Sequence, residues 1–155
     1  MGDAWIPFSP EMRKAIVTGD KICTFRFRRY GNPGDTLHSA FYTRSAEGSI
    51  AVNLQDQILA PVGMVARHLW RQEGTASPEA FIEALTATQN ATRERWGHPA
   101  FRYIPLKLGW LHWFGRTHMP DRLIKKIGGE IYRVPAIKGQ KALTLPGHVQ
   151  RQLPG

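Results

Sequence analysis

The segment TGDKICTFRFRRYGNPGD, residues 18–35, constrains the fold more than any other part of the 155-residue chain. Gly19 follows an apolar helical stripe and is typical of a residue that ends a helix in the left-handed conformation. Residues 22–28 then alternate between two kinds of side chain, which predicts a β-strand. Pro33-Gly34 predicts a turn after that strand. The segment therefore predicts a helix end, a strand and a turn in immediate succession.

Alternation assigns the side chains of this strand to two faces. The apolar set is expected to face the core and comprises Cys23, Phe25 and Phe27. Thr24 and Arg26 are then expected side by side on the opposite, wetter face. Because Lys21 is three residues before Thr24, the two side chains converge only if Lys21 lies in the turn before the strand or at a bulge.

Residue spacing alone leaves two interpretations of this strand open. The first is an edge strand whose charges protect it from pairing with other chains. The second is a catalytic constellation, in which the Thr24 hydroxyl is a nucleophile and Lys21 is the base that removes its proton. A lysine can act as that base only when burial or a nearby cation, such as Arg26, lowers its pKa.

Two helices are predicted from the same opening, Ser-Pro-Glu, in which the serine caps the helix and the proline occupies its first turn. They begin after Ser9 and Ser77 and end near Gly19 and Gly97. A third helix is predicted over residues 61–74, because its apolar residues are spaced three and four apart. In the Ser77 helix, one face is predicted to consist of Phe81, Ala84, Leu85 and Thr88.

Further strands are predicted over residues 37–42, 50–54 and 130–137, and in two short pieces on either side of Pro105. A short basic helix is predicted over residues 119–129, with its apolar residues Leu123, Ile124 and Ile127 inward. The order of these elements predicts an α+β fold, a small mixed β-barrel with flanking helices.

The charge of the chain is uneven along its length. The formal net charge is +9, yet residues 1–100 hold eleven Lys/Arg and ten Asp/Glu, whereas residues 101–155 hold ten Lys/Arg and two acids. Such asymmetry favours a polyanionic partner, with nucleic acid first, although basic residues that serve solubility alone are the alternative. No run of eighteen apolar residues exists, so no membrane partner is expected. The absence of a secretory signal and the single Cys23 predict a cytoplasmic location.

The stretch GDKICTFR, followed by YGNPGD, resembles the hallmark of the ASCH domains, which are small β-barrels of the PUA-like superfamily. The family pattern is Gly-x-Lys-x-x-Thr-x-Arg followed by a turn with Gly-Asp. The matching positions are Gly19, Lys21, Thr24, Arg26, Gly34 and Asp35. The family also has Glu-Gly before a capped helix, and QEGTASPEAFIEAL resembles it at Glu73 and Gly74. The resemblance covers residues 6–95.

The resemblance implies recognition of RNA or of a modified nucleoside in a pocket of Lys21, Thr24, Arg26 and Glu73. One branch of the family is similar to the acetylcytidine amidohydrolases, which remove an acyl group from the exocyclic amine of cytidine. In that alternative, Lys21 is the base, Thr24 the nucleophile and Glu73 the proton donor. Arg26 and Arg28 are the expected substrate-binding residues. Whether the chain is an enzyme stays open, and a nuclease is a further option that we favour less.

Residues 115–155 have no counterpart in the family pattern. We therefore predict an ASCH-like domain over residues 1–114 and a basic C-terminal extension over residues 115–155, packed on the domain or trailing from it. The expected nucleic-acid contacts in the extension are Arg116, Arg122, Lys125 and Lys126, and a solvated helix face is the alternative. The histidines have no zinc-binding spacing, so we expect neither a metal nor a cofactor.

Overall fold

The computed structural model describes residues 2–40, 50–128 and 133–134. It has an α+β fold, as predicted. In chain order the elements are β1 (Asp3–Pro7), α1 (Pro10–Thr18), β2 (Cys23–Arg26), β3 (Thr36–Ala40), β4 (Ala51–Asn53), β5 (Asp56–Pro61), α2 (Val62–Leu69), α3 (Pro78–Arg95), β6 (Leu108–Trp113), α4 (Asp121–Lys126) and β7 (Arg133–Val134).

The described strands form two open sheets. The first has the order β1-β3-β4, with β1 parallel to β3 and β3 antiparallel to β4. The second has the order β2-β6-β5-β7 and is antiparallel throughout. Over the described ranges these sheets do not close into a barrel, so the PUA-like barrel stays a prediction.

Among the described residues, the larger apolar core lies between the second sheet and helices α2, α3 and α4. It contains Cys23 and Phe25, so the predicted core face of β2 is confirmed. The smaller core lies between the first sheet and α1, around Ile6 and Leu37. Strand β2 is at an edge of the second sheet, with α1 before it in the chain. This edge is where the candidate site lies.

The helix ends follow the local chemistry that the sequence indicates. The Ser9 hydroxyl accepts a hydrogen bond from the Met12 amide at 3.2 Å, and α1 ends at Gly19, whose φ of 86° is in the left-handed region. The Ser77 hydroxyl caps α3 in the same way, 3.0 Å from the amide of Ala80. Both predicted caps are confirmed, because a serine cap and a glycine end need only neighbouring residues.

Other boundaries differ from the predictions. The strand predicted over residues 22–28 ends at Arg26, and the helix predicted over 61–74 ends at Leu69. The pieces predicted around Pro105 are a single strand, β6, that begins only at Leu108. Strands β1 and β5 were not predicted. Strand β5 is buried on both faces except at its last residue, so it lacks the alternation that reveals a half-exposed strand.

The predicted basic helix is present as α4, with Ile124 and Ile127 buried against α2 and the second sheet. Met119 joins the same core as Trp113, so the segment of residues 115–128 packs on the sheet and helices that precede it. The domain boundary at residue 114 stays a prediction. The predicted strand over 130–137 and the rest of the extension lie outside the described residues, apart from β7. No described helix combines the length and the apolar character that a membrane span requires.

Candidate ligand-binding site

A cavity of about 350 Å³ opens between α1 and α3. Its floor is the edge strand β2, and the turn of residues 73–75 closes one end. Four predicted site residues line it together, although they come from two segments some fifty positions apart: Lys21, Thr24, Arg26 and Glu73. The fold therefore brings together the groups that the resemblance assigned to one pocket.

Lys21 lies in the turn between α1 and β2. Its amide donates to the carbonyl of Ala15 at 3.0 Å, and the next amide, of Ile22, donates to the carbonyl of Gln72 at 2.8 Å. These bonds fix the turn against the segment that follows α2. Because Lys21 precedes the first residue of β2, the alternation of the strand does not govern its direction, and it shares the cavity with Thr24.

Lys21 and Glu73 form a buried ion pair. The Lys21 ammonium donates to Glu73 Oε1 at 2.8 Å and to the Glu73 carbonyl at 3.0 Å. The two residues are only 4% and 5% exposed. Removing one partner from such a pair leaves an uncompensated charge in a low-dielectric interior, which is costly.

Gly74 permits the close approach of the two segments. Its φ of 81° is in the left-handed region, and a Cβ at this position would lie 3.0 Å from the Cβ of Lys21 and 3.5 Å from that of Ala15. A side chain here would therefore be strained and would also press on the lysine. The close packing of this turn against Lys21 and Ala15 therefore explains why glycine follows Glu73.

The second oxygen of the Glu73 carboxylate, Oε2, is buried and has no hydrogen-bond partner among the described residues. Buried polar atoms are almost always hydrogen-bonded, because an unpaired one loses its interaction with water without compensation. Glu73 lines the cavity, so this unpaired acceptor belongs to a residue of the cavity wall. We regard this atom as the chief chemical feature of the site.

Arg26 holds the hydroxyl of Thr24. Its Nη1 donates to Thr24 Oγ1 at 2.6 Å and to the Phe25 carbonyl at 2.9 Å, and its Nη2 donates to the Pro7 carbonyl at 2.8 Å. Burial lowers the pKa of Arg26, while the charge of Glu73 opposes that effect. Since a guanidinium can only donate, Thr24 Oγ1 accepts from it and keeps its own proton for another acceptor.

The predicted wetter face of β2 is wrong in one respect. Thr24 and Arg26 do share the face opposite to Cys23 and Phe25, but Thr24 is fully buried. The end of β1 covers this face, because Arg26 bonds to Pro7 and its guanidinium lies 5.6 Å above the ring of Phe8. Side-chain alternation gives the face of a residue but not what packs on that face.

His112 is a buried neighbour that sequence reasoning did not place in the site. It pairs with Thr24 in the register of β2 and β6. Its Nε2 accepts from the Tyr30 amide at 3.0 Å, so Nδ1 carries the proton and donates to the Trp110 carbonyl at 3.1 Å. Burial, and after it the charge of Arg26, lower the pKa of His112 to about 3. The imidazole is therefore neutral and supports the strand that carries Thr24.

Residues of α1 and α3 supply the apolar wall of the cavity. The α3 face predicted from spacing, which includes Phe81, Leu85 and Thr88, lies along the cavity rather than only in the core. Met12 of α1 contributes from the other side. The helical stripe indicated this face, but only the packing of α1 opposite to it makes a cavity.

The remaining predicted site residues lie elsewhere. Arg28 is exposed, does not line the cavity, and has its guanidinium 5.5 Å above the ring of Tyr30. The four basic residues predicted for nucleic acid are exposed and also lie outside the cavity: Arg116, Arg122, Lys125 and Lys126. Among the described residues, no group of three or more His, Cys, Asp or Glu side chains could hold a metal ion.

The chain matches no protein-family model, no curated protein and no solved structure.

Proposed function

We propose that the cavity binds the base of a nucleoside, free or within an RNA, and that Glu73 and Thr24 recognise the edge of that base. The observation that carries this proposal is the buried Glu73 Oε2, an acceptor on a residue of the cavity wall that has no partner among the described residues. A ligand that donates a hydrogen bond to this oxygen removes the cost of leaving it unpaired.

The size and walls of the cavity support a ligand of this class. A volume of about 350 Å³ is near the lower end of the roughly 300–1,000 Å³ of small-molecule sites. Phe25, Phe81 and Leu85 give it apolar walls, against which a flat ring can pack. A nucleobase combines such a ring with a polar edge.

The hydrogen-bonding pattern favours a base with an exocyclic amine. Glu73 Oε2 accepts a hydrogen bond, and the Thr24 hydroxyl has a proton to donate. Cytosine and adenine present an amine donor next to a ring-nitrogen acceptor, which matches this pair. Uracil presents a carbonyl oxygen at the same place, and the Glu73 carboxylate repels it.

Calorimetric titration with cytidine, adenosine, guanosine and uridine tests the proposal. We expect cytidine or adenosine to bind saturably, and uridine to bind at least about tenfold more weakly, a difference of about 1.4 kcal/mol. Thr24→Val keeps the shape of the side chain but removes the donor, so it should weaken binding.

Thr88→Val is the matched control for this titration. Thr88 also lines the cavity, but its hydroxyl already donates to the Ala84 carbonyl at 2.9 Å, so its loss should leave the affinity unchanged. Equal losses in both variants, or no binding of any nucleoside to the folded protein, would contradict base recognition.

Hydrolysis of acetylcytidine is the second candidate function, and one contact favours it. Arg26 Nη1 lies 2.6 Å from Thr24 Oγ1, where its charge stabilises the alkoxide that forms as threonine attacks a carbonyl carbon. The oxygen of Thr24 would bond to the acyl carbon, the bond from that carbon to the exocyclic nitrogen would break, and water would later release the acyl group.

In this candidate reaction, the ion pair of Lys21 and Glu73 acts as one proton-handling unit. Among the described contacts, the Lys21 ammonium is bonded to Glu73 and not to Thr24. Lys21 must therefore pass a proton to Glu73 before its amine can accept the proton of Thr24. Glu73, now protonated, gives that proton to the departing amine of cytidine.

Release of cytidine from acetylcytidine, followed by chromatography, tests the hydrolase. We expect turnover by the wild type, none by Thr24→Ala, and unchanged turnover by Thr88→Ala. Wild-type turnover no higher than that of Thr24→Ala contradicts hydrolysis but leaves base recognition standing, since binding does not need the threonine as nucleophile.

A further inference from the structure

Helices α2 and α4 pack together and present exposed cations to solvent. We call this surface the α2–α4 basic face. We define it by Arg67 of α2, Arg71 in the turn after α2, and Arg122, Lys125 and Lys126 of α4. Helix α2 carries no acid, and α4 carries only Asp121. The inward side of α4 is taken by Ile124 and Ile127, so its three cations are directed outward.

The two helices place their charges near one another. Burial, and after it the charges of Arg67 and Lys126, lower the pKa of His68, so one cation from each helix acts on the same imidazole. The ion pairs of Lys21, His38 and His118 lie away from this face. Five cations share α2, α4 and the turn after α2 with one exposed carboxylate, Asp121, and such an excess of positive charge is the arrangement that a polyanion neutralises.

The basic face reaches the turn that also carries Glu73 of the cavity wall. Arg71 is two residues before Glu73, and its carbonyl accepts from the amide of Gly74 at 2.9 Å. Its guanidinium lies 4.8 Å above the ring of Trp70, which keeps the charge at the surface of this turn. The same turn thus carries the acceptor of the cavity and a cation of the basic face.

We propose that the α2–α4 basic face binds the phosphates of a single-stranded RNA, one base of which occupies the cavity. This inference rests on the proposed function, because the base in the cavity fixes the position of the strand. A single strand is required, since a cavity with Glu73 at its wall reads a base edge that pairing would occupy. A free nucleoside has no phosphate for these five cations.

The salt dependence of binding distinguishes contacts with the basic face from contacts with the cavity. Each phosphate contact on a single strand contributes about −0.7 to the slope of log K against log salt, because counterions are released. Binding of a short RNA should therefore weaken steeply with salt, while binding of uncharged cytidine should change little. Removing two contacting cations should reduce the magnitude of the RNA slope by roughly 1.4.

The experiment measures the affinity of the full chain for cytidine and for a short cytidine-containing single-stranded RNA over a series of salt concentrations. The test variant is Lys125→Gln/Lys126→Gln. The control, Lys14→Gln/Arg102→Gln, removes the same charge from exposed positions on α1 and in the segment before β6. We expect the test variant to lose about tenfold or more in RNA affinity at low salt, with the smaller slope, and to keep its cytidine affinity. The control should keep both.

Several outcomes overturn this inference. They are an unchanged RNA slope in the test variant, an equal loss in the control, or binding to anionic phospholipid vesicles through the same lysines without binding to RNA. If cytidine binds and the RNA binds no more tightly, this inference alone fails. If neither cytidine nor RNA binds, the proposed base recognition fails with it.

Discussion

The cavity and the α2–α4 basic face use charge in opposite ways. In the cavity, the charges of Lys21 and Glu73 are buried, paired at 2.8 Å and fixed by the turns that carry them. On the basic face, cations such as Lys125 are exposed and screened by solvent. Buried charges can form specific hydrogen bonds with the edge of a ligand, but the stability of the fold then depends on each charge keeping its partner. Exposed charges add affinity for a polyanion and matter little for folding.

The largest expected effect is a pH dependence of the free energy of unfolding. It arises from His112, one of the buried polar residues around the cavity. Its folded pKa of about 3 is below the usual 6.5, so the unfolded chain takes up the proton first. The stability is therefore complete above pH 6.5 and is lost as the pH falls toward 3, by an amount on the order of 5 kcal/mol. NMR titration should find the His112 imidazole neutral at pH 5.

Urea unfolding at several pH values checks the consequence of that shift. Below pH 6.5 the free energy of unfolding should decrease by up to about 1.4 kcal/mol per pH unit through this group. In His112→Gln, which has no titratable side chain at this position, that contribution should be lost. An imidazole at position 112 that titrates above pH 5 would remove the basis of this prediction.

The ion pair should give the next largest effect. Lys21→Met leaves the Glu73 carboxylate buried without its cation, and we expect a loss of about 3–5 kcal/mol in the free energy of unfolding. Lys21→Met/Glu73→Leu removes both charges and should recover most of that loss while abolishing ligand binding. A single variant as stable as the wild type would mean that the pair is not desolvated in solution.

Gly74→Ala should have a smaller effect, about 1–3 kcal/mol, from the left-handed backbone and the contact with Lys21. Gly97→Ala is the matched control, because its φ is also positive, at 69°, but nothing lies within 4 Å of its added Cβ. Chemical denaturation of both variants separates backbone strain from packing. Equal losses in the free energy of unfolding would indicate that the Cβ added at position 74 causes no steric conflict with Lys21.

The smallest effect on stability is expected at the basic face. Lys125→Gln/Lys126→Gln should change the free energy of unfolding by no more than about 0.5 kcal/mol, since both side chains are exposed. The same variant should still alter RNA binding. A large destabilisation here would show that these lysines serve the fold, and the contrast between the two regions would no longer hold.

The sequence predicts a structural feature well when that feature depends on residues close together in the chain. The caps at Ser9 and Ser77 and the parity of β2 were predictable, because they depend on residues a few positions apart. The meeting of Lys21 and Glu73 in one pocket joins distant segments, and only the resemblance to a family pattern indicated it. Their ion pair was not predicted. The burial of Thr24 was missed, because no local signal reveals that the end of β1 covers its face.

Strand β5 was missed for a related reason. Its polar residues are buried and bind loops: the Gln57 amide donates to the carbonyls of Tyr30 and Gly31, and Asp56 accepts from the amide of Met119. These partners are far away in the sequence, so the two residues look like a polar break. Tertiary contacts alone explain why they belong to a central strand.

The measurement that tests the central claim most directly is a titration of the isotope-labelled protein with cytidine and adenosine, followed by the backbone amide resonances. If a base binds beside Glu73, the amides of Gly74 and Thr75, which line the cavity, should shift saturably while those of α4 stay in place. Shifts confined to α4, or no saturable shift with either nucleoside, would contradict base recognition in this cavity.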